Sequence, residues 1–447
     1  MAHVPPALTR PPGPNARATT WIAAGLGALV VVGIGARVWP RRALWLDEAQ
    51  SVAIAGQALT AIPGVLRTDG APPAYYLLLH VWMELFGDSD VAVRSLSVAL
   101  SVATLAVLAV ALDRFAGRRA AVTVTVLLAT NPFVIRYAAE GRMYALVMLE
   151  VVVGMLAVDA CLRRPSLMRA VPVAVLTALL LYTHYWAIYL VVATVIVLVV
   201  AALGDRPPRA VLVAIGGGVV AWLPWVPTFL FQSERTATPW AEPARPVSLV
   251  AVLDVGLRGS EPVPVLLGGA MGALVVLGVW RGAALVRRPM GTRALGGVLA
   301  LTLVGALVGA MLSDSAYASR YTAVAVPLMI TLAALGASTL PARWSMAVVG
   351  VLGVAGLVLA AMEVATDRTR SAAFVEPLRE HSAAGDVLIY CPDQLGPAAS
   401  RLLEQSGVDD LRQYVYPTQR APDRVDWIDY TARHQDADPD SFIVAID

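Results

Sequence analysis

The chain has 447 residues, 58% of them hydrophobic and only 15% charged, and its mean hydropathy of +0.68 is well above that of a soluble domain. It is read as a membrane protein with no nucleic-acid partner. The formal net charge of +2 hides an asymmetry: residues 364–447 carry 15 acidic against 8 basic side chains, which sets an acidic tail apart from a membrane body. Every basic side chain is arginine, a pattern read as coding bias before chemistry.

Residues 1–20, rich in Pro, Ala and polar groups, are expected to form a disordered cytoplasmic N-terminus. The apolar run 21–39 is longer than a signal-peptide core and lacks a convincing cleavage region, so it is read as a retained first span. Further runs near 91–112, 120–136, 143–160, 169–183, 187–204, 209–230, 263–281, 294–312, 321–338 and 344–362 bring the count to eleven. Short arginine-rich loops stay in the cytoplasm. With the N-terminus inside, the breaks holding Arg114 to Arg119, Arg163 to Arg169, Arg206 and Arg209, Arg281 to Arg293, and Arg343 all fall on that side. The expected fold class is an all-α polytopic membrane protein with about eleven transmembrane helices, its body covering residues 21–363.

The segment 73–86 is a special case. As a helix it reaches roughly 21 Å against a hydrocarbon core of about 30 Å, and counting it as a span would turn every later arginine loop outward. It is predicted to be a juxtamembrane or re-entrant helix with Tyr75, Tyr76 and Trp82 at the interface, and residues 49–62 a second surface-lying helix. The outer loops 40–90 and 231–262 are long and chemically mixed, and the outer face collects Asp47, Glu48, Asp69, Arg136, Glu140, Arg142, His184, Glu234, Arg235, Asp314 and Arg320. Function is expected there. Pro224 and Pro227 are predicted to bend or end the seventh span. Residues 364–447 then read as helix 372–381, strand 386–390, helix 398–405, a segment 413–416 and strand 441–445, a small C-terminal extracytoplasmic α/β domain. Cys161 and Cys391 fall on opposite sides of the membrane, so no disulfide is expected.

Asp47 and Glu48 follow the first span, and neighbours on a helix point about 100° apart. One can face a cavity while the other meets a helix end or a metal; the plain alternative is a pair that caps the span at the headgroups. Arg136, Glu140 and Tyr144 are spaced to stack along one helical face, as a salt bridge or as part of a site. Arg320 and Arg142 offer planar forks suited to a donor phosphate, with headgroup snorkelling as the alternative. His184, between Tyr182 and Tyr185, is either an interfacial belt residue or a ligand, and Asp69, Tyr75 and Tyr76 are candidates for acceptor contact. Glu48, Glu140 and His184 could orient groups or hold a divalent cation such as Mg, Mn or Ca, although no ligand spacing establishes one.

Five motifs occur in order between residues 46 and 321: Leu46-Asp47-Glu48-Ala49; the run from Asp69 through Pro72-Pro73 to Leu79; Leu85 to Arg94; Tyr137-Ala-Ala-Glu140-Gly-Arg-Met-Tyr144; and Ser319-Arg320-Tyr321. In these the chain resembles the GT-C glycosyltransferases, in the branch of bacterial protein mannosyltransferases and aminoarabinose-to-lipid-A transferases. The resemblance implies a GT-C-like fold in a bacterial plasma membrane, a polyprenyl-phosphate sugar donor, and inverting transfer on the extracytoplasmic face. The acceptor would be a cell-envelope glycan, lipid or protein. The resemblance makes Asp47 the catalytic base, Glu48 its acidic companion, Glu140 a later acid near the site and Arg320 a donor-phosphate contact. Where many relatives read His-Pro-Pro, this chain has Ala71-Pro72-Pro73, so any part played by that histidine is missing. Two further readings would use the same polar groups: a transporter or flippase of a lipid-linked sugar, and a non-catalytic envelope assembly protein acting through its tail.

Overall fold

Lipid offers no hydrogen-bond partners, so an apolar chain has to close its backbone bonds within each segment. The computed structural model describes residues 14–39, 43–202, 208–236, 244–252, 262–286, 289–313, 315–366, 368–408 and 410–446, and helices dominate it. The first helix, α1 (Pro14–Ala36), begins inside the stretch expected to be disordered. Three short helices follow: α2 (Leu46–Ala55), α3 (Ile62–Leu66) and α4 (Ala74–Phe86). The body continues through α5 (Asp90–Ala116), α6 (Arg118–Thr130), α7 (Pro132–Ala138), α8 (Tyr144–Arg163), α9 (Leu167–Thr183), α10 (Ala187–Ala201), α11 (Arg209–Trp222) and α12 (Val226–Arg235). It closes with α13 (Pro262–Arg281), α14 (Thr292–Leu312), α15 (Val326–Ser338) and α16 (Ala342–Ala365).

Each of the eleven expected spans coincides with a helix or helix pair. Six are long and apolar enough to cross a membrane, and the bent pair α6 and α7 makes a seventh. The other four, α1, α9, α10 and α15, have shorter apolar stretches. The chain is thus a multi-pass membrane protein. Helix α4 has 13 residues, too few to cross the core alone. Residues 49–62 are not one surface helix: α2 and α3 are separated by turns, and α2 is mostly buried. The prolines at 224 and 227 do not end the seventh span, because one 3-10 turn (Leu223–Trp225) passes it into α12 and the helix continues to Arg235.

The expected span 120–136 is broken by 61° between α6 and α7. Pro132 has no N–H to give the Leu128 carbonyl, and the Asn131 side chain instead caps α7 by accepting from Val134 N at 3.0 Å. The freed carbonyls are taken by a guanidinium: buried Arg37 donates to Leu128 O at 2.8 Å and Ala129 O at 2.7 Å. Elsewhere small residues set the helix spacing. A Cβ on Gly278 would lie 2.0 Å from Leu332 O, and one on Gly336 would lie 2.0 Å from Leu274 O, so α13 and α15 touch backbone to backbone.

The tail holds α17 (Ala372–His381), β1 (Val387–Tyr390), α18 (Gly396–Gln405), β2 (Arg412–Val415), α19 (Tyr430–Gln435) and α20 (Pro439–Ile446). β1 and β2 form a two-stranded parallel sheet with Tyr390 opposite Val415, over a core of Val375, Tyr390, Ala399, Leu403 and Val415. The strand expected at 441–445 is a helix. Asp438 caps it by accepting from the Asp440 and Ser441 N–H groups, both at 3.2 Å, and Phe442 packs on Tyr416. Helix α18 packs against α2, and Arg401 pairs with Asp90 at 3.1 Å, so the tail rests on the element that carries Asp47.

Candidate active site

Helix α2 starts at Leu46, after Trp45, and its first turn carries Asp47 and Glu48. The two carboxylates diverge as the helical twist requires. Glu48 turns inward and is fully buried. Its Oε1 accepts from Arg94 Nε at 2.9 Å and Gly141 N at 2.8 Å, and its Oε2 accepts from Arg94 Nη2 at 2.6 Å and Trp45 N at 3.4 Å. Asp47 faces a cavity of about 560 Å³. Its Oδ2 lies 3.6 Å from Arg320 Nη1 and 4.0 Å from Arg142 Nη2, within ionic attraction but beyond hydrogen-bond length.

The same cavity is lined by Asp69, Arg142, His184 and Arg320. Five of the expected site residues, scattered from position 47 to position 320, therefore meet in one place. Arg142 holds this side of the cavity together: its Nη1 donates to Ser51 Oγ at 2.9 Å, Tyr76 OH at 3.2 Å and the Asp47 carbonyl at 3.3 Å. Tyr76 OH in turn donates to Asp69 Oδ2 at 2.8 Å, while Gln50 Nε2 donates to Asp69 Oδ1. Burial pushes the Asp69 carboxyl above the usual carboxylate range, against the pull of Arg142 and of its bonds to Tyr76 and Gln50.

His184 caps the C-terminus of α9 and is 7% exposed. Burial, followed by the positive fields of Arg142 and Arg320, pushes its pKa down to about 3. It is neutral at ordinary pH. Its Nδ1 accepts from Trp186 N at 3.1 Å, which leaves the ring proton on Nε2.

Four expected site residues do not line the cavity. Glu48 belongs to the inner face of α2. Glu140 pairs with Arg136 at 3.5 Å and with Arg368, while Arg136 also pairs with Glu363. Its surroundings are buried, and desolvation raises its pKa despite the fields of Arg368 and Arg136. Arg136, Glu140 and Tyr144 do not share a helix either, because the chain unwinds between α7 and α8 to bring Gly141 N to Glu48. Tyr75 is fully buried behind Tyr76, their ring centroids 5.9 Å apart, and Tyr76 acts from behind the wall through Asp69 and Arg142. Asp314 lies outside the described residues.

A divalent cation needs several oxygen ligands at once. Glu48 is bonded to a guanidinium and two backbone N–H groups, Asp69 to Tyr76 and Gln50, and Glu140 to two arginines. Asp47 already has two guanidinium groups within 4.0 Å. Among the described residues no three His, Cys, Asp or Glu side chains converge. This donor set does not fit the metal that the carboxylates suggested.

Several contributors were not among the expected site residues. Arg94 and Gln50 stand inside or beside the quoted motifs and were open to inspection. Gln232, Tyr185 and Phe229, which form an aromatic and amide wall with Trp225 Nε1 donating to Tyr185 OH at 3.0 Å, carry no comparable sequence signal. Nor does Trp427, which reaches the cavity from the tail.

The helical membrane body with short outer helices over a polar cavity is a fold that the chain shares with solved GT-C structures. It matches ArnT from Cupriavidus metallidurans bound to undecaprenyl phosphate with a TM-score of 0.61, over 90% of this chain and 87% of that one, at 15% identity. The apo form of the same protein matches over 95% and 90% of the two chains at 16% identity, again with a TM-score of 0.61. An oligosaccharyltransferase from Archaeoglobus fulgidus, tethered with an acceptor peptide, matches over 90% of this chain and 64% of that one, with a TM-score of 0.51 and 12% identity. No family model matches the sequence, and no curated protein matches it.

Proposed function

We propose that the chain is an inverting glycosyltransferase that moves a sugar from a polyprenyl-phosphate donor to a hydroxyl of a cell-envelope acceptor on the extracytoplasmic face. The observation that carries this reading is Asp47: a carboxylate open to a cavity, with Arg320 and Arg142 beside it at 3.6 and 4.0 Å. A base must stand next to the acceptor oxygen, and cations must stand where the phosphate departs. One acid flanked by two guanidinium groups meets both needs. The likeness to a solved structure bound to undecaprenyl phosphate supports the donor class, and the arginine-rich loops support the orientation.

In the proposed step the acceptor oxygen attacks the anomeric carbon from the face opposite the phosphate. The new C–O bond forms as the bond from that carbon to the phosphate oxygen breaks, and the acceptor proton passes to Asp47. Arg320 and Arg142 take up the charge on the departing polyprenyl phosphate, so no general acid is required. Asp69, tied to Tyr76 and Gln50, holds Arg142 in place through the Tyr76 hydroxyl. Neutral His184 offers a hydrogen bond rather than a charge. The aromatic and apolar wall of Trp186, Ile188, Tyr189 and Phe229 suits the first prenyl units.

Asp47→Asn, with membrane abundance matched to wild type, is expected to lower sugar transfer from polyprenyl-phosphate donors about 10³-fold, the scale of a lost general base. Unchanged turnover would remove Asp47 from that role.

A further inference from the structure

The cavity is not closed by the membrane body alone. Residues 425–429 of the tail cross its rim as a strap pinned at successive positions. Val425 N donates to Gln50 Oε1 at 3.0 Å, and Gln50 Nε2 reaches back to Val425 O at 3.4 Å. Trp427 N donates to Thr68 O at 2.9 Å, Ile428 bridges to Thr236, and Asp429 N donates to Arg235 O at 2.9 Å. Asp426 braces the strap from below: it accepts from Ile428 N at 2.9 Å and pairs with Arg420 at 2.5 Å and Arg433 at 3.6 Å. Tyr430 packs on the Trp427 ring at 5.1 Å and donates to buried Asp393 at 2.8 Å. All this order fixes one large side chain, the half-buried indole of Trp427, in the cavity wall.

The strap meets the Thr68–Gly70 turn on one side and Thr236 on the other. That junction is tight: Gly70 has φ +86°, and a Cβ there would lie 2.9 Å from Thr236 Cγ2. Asp69, Gln50 and Thr236 are the polar lining groups at this end, and the Thr236 hydroxyl is buried with no hydrogen-bond partner among the described residues. Arg142 and Arg320 stand beside Asp47 at 4.0 and 3.6 Å, and the lining next to Trp427 has aromatic, amide, carboxyl and hydroxyl groups. A fixed indole face packs against the C–H face of a sugar ring, and the unpartnered Thr236 hydroxyl can bond one of its hydroxyls.

We propose that Trp427 is the acceptor-recognition residue and that the acceptor is a glycan, one sugar ring of which lies against the indole and offers its hydroxyl to Asp47. This rests on the transferase reading above and narrows its acceptor from glycan, lipid or protein to one of them. It also makes the tail a part of the substrate site: a chain folding without the strap would keep the cationic end and lose the acceptor end.

The test uses the full-length protein in lipid nanodiscs, labelled with 5-fluorotryptophan, the Trp427 fluorine signal being assigned by its absence in Trp427→Phe. Maltotriose, a linear arabinofuranose trisaccharide, an acetylated Ser/Thr tripeptide and undecaprenyl phosphate are titrated separately. A saturable shift of the Trp427 signal with either trisaccharide, and none with the peptide, is expected. A shift with the peptide alone, or no shift with either glycan in protein that still binds undecaprenyl phosphate, would overturn the proposal. Failure of undecaprenyl phosphate itself to bind would strike the donor reading and take this inference with it.

Discussion

The two carboxylates at the start of α2 are one residue apart and have opposite surroundings. Behind the helix, every oxygen of Glu48 is bonded, to Arg94, Gly141 and Trp45. In front, among the described residues, the Asp47 side chain meets Arg142 and Arg320 at 4.0 and 3.6 Å and makes no shorter bond. A saturated carboxylate can do little chemistry because each lone pair is already committed, but it locks three chain segments together. An under-bonded one beside a cavity is free to take a proton. Glu140 is a third case: Arg136 and Arg368 both meet its Oε1, while its Oε2 is buried with no hydrogen-bond partner among the described residues.

This contrast can be broken from either side. The largest effect on stability is expected from Glu48→Ala, which takes the carboxylate away from the half-buried Arg94 guanidinium and from the buried Gly141 N–H. Removing one partner of a buried pair costs about 3 kcal/mol, so thermal unfolding in detergent should fall by several degrees, whereas Asp47→Asn should leave it almost unchanged. If Asp47→Asn proves the more destabilising of the two, the assignment of structural and reactive roles is reversed.

A smaller loss is expected from Arg368→Ala. It frees Glu140 from one of its two arginines and uncovers the Trp45 ring, over which the Arg368 guanidinium sits at 4.2 Å. Because Arg136 remains and the Arg368 side chain is partly exposed, the cost should be about 1.5 kcal/mol, the low end for a hydrogen bond to a charged group. Equal unfolding midpoints for variant and wild type would mean that the link between tail and Glu140 bears no load.

At neutral pH the least change is expected at His184, on the cavity side. Its folded pKa of about 3 lies below the 6.5 of an unburied imidazole. A base with a depressed pKa contributes stability that is full above about pH 6.5 and is lost as pH falls towards 3, because the unfolded chain takes up the proton first. His184→Gln should therefore flatten the decline of the unfolding midpoint between those limits and leave it unaltered at pH 8. An undiminished acid slope would show that His184 is not buried in its neutral form.

Much of the site was open to sequence reading, for a definable reason. Asp47, Asp69, Arg142, His184 and Arg320 are polar groups at the ends of apolar runs, and a single topology puts them on one side of the membrane. The motifs they stand in added the resemblance. Arg136, four residues from Glu140, was legible as its salt-bridge partner, but the distant partners of Glu48 and Glu140 could not be read so. Arg94 is 46 residues from Glu48 and Arg368 is 228 from Glu140, and nothing in either stretch marks its mate. The tail illustrates the limit twice: five apolar or β-prone residues at 441–445 suggested a strand until the Asp438 cap and the Tyr416 contact made them a helix, and Trp427 gave no sign that it would enter a cavity in the membrane body.

What the sequence determined by itself was the set of helices. Hydrocarbon forbids open backbone bonds, so a long apolar run has one solution, and that solution depends only on local composition. What only the tertiary structure decided was which carboxylate turned inward, where α6 breaks so that Arg37 can answer its carbonyls, and how the tail straps residue 427 into the rim. Each of these is a bond between groups distant in the chain, set by packing geometry that no local pattern encodes.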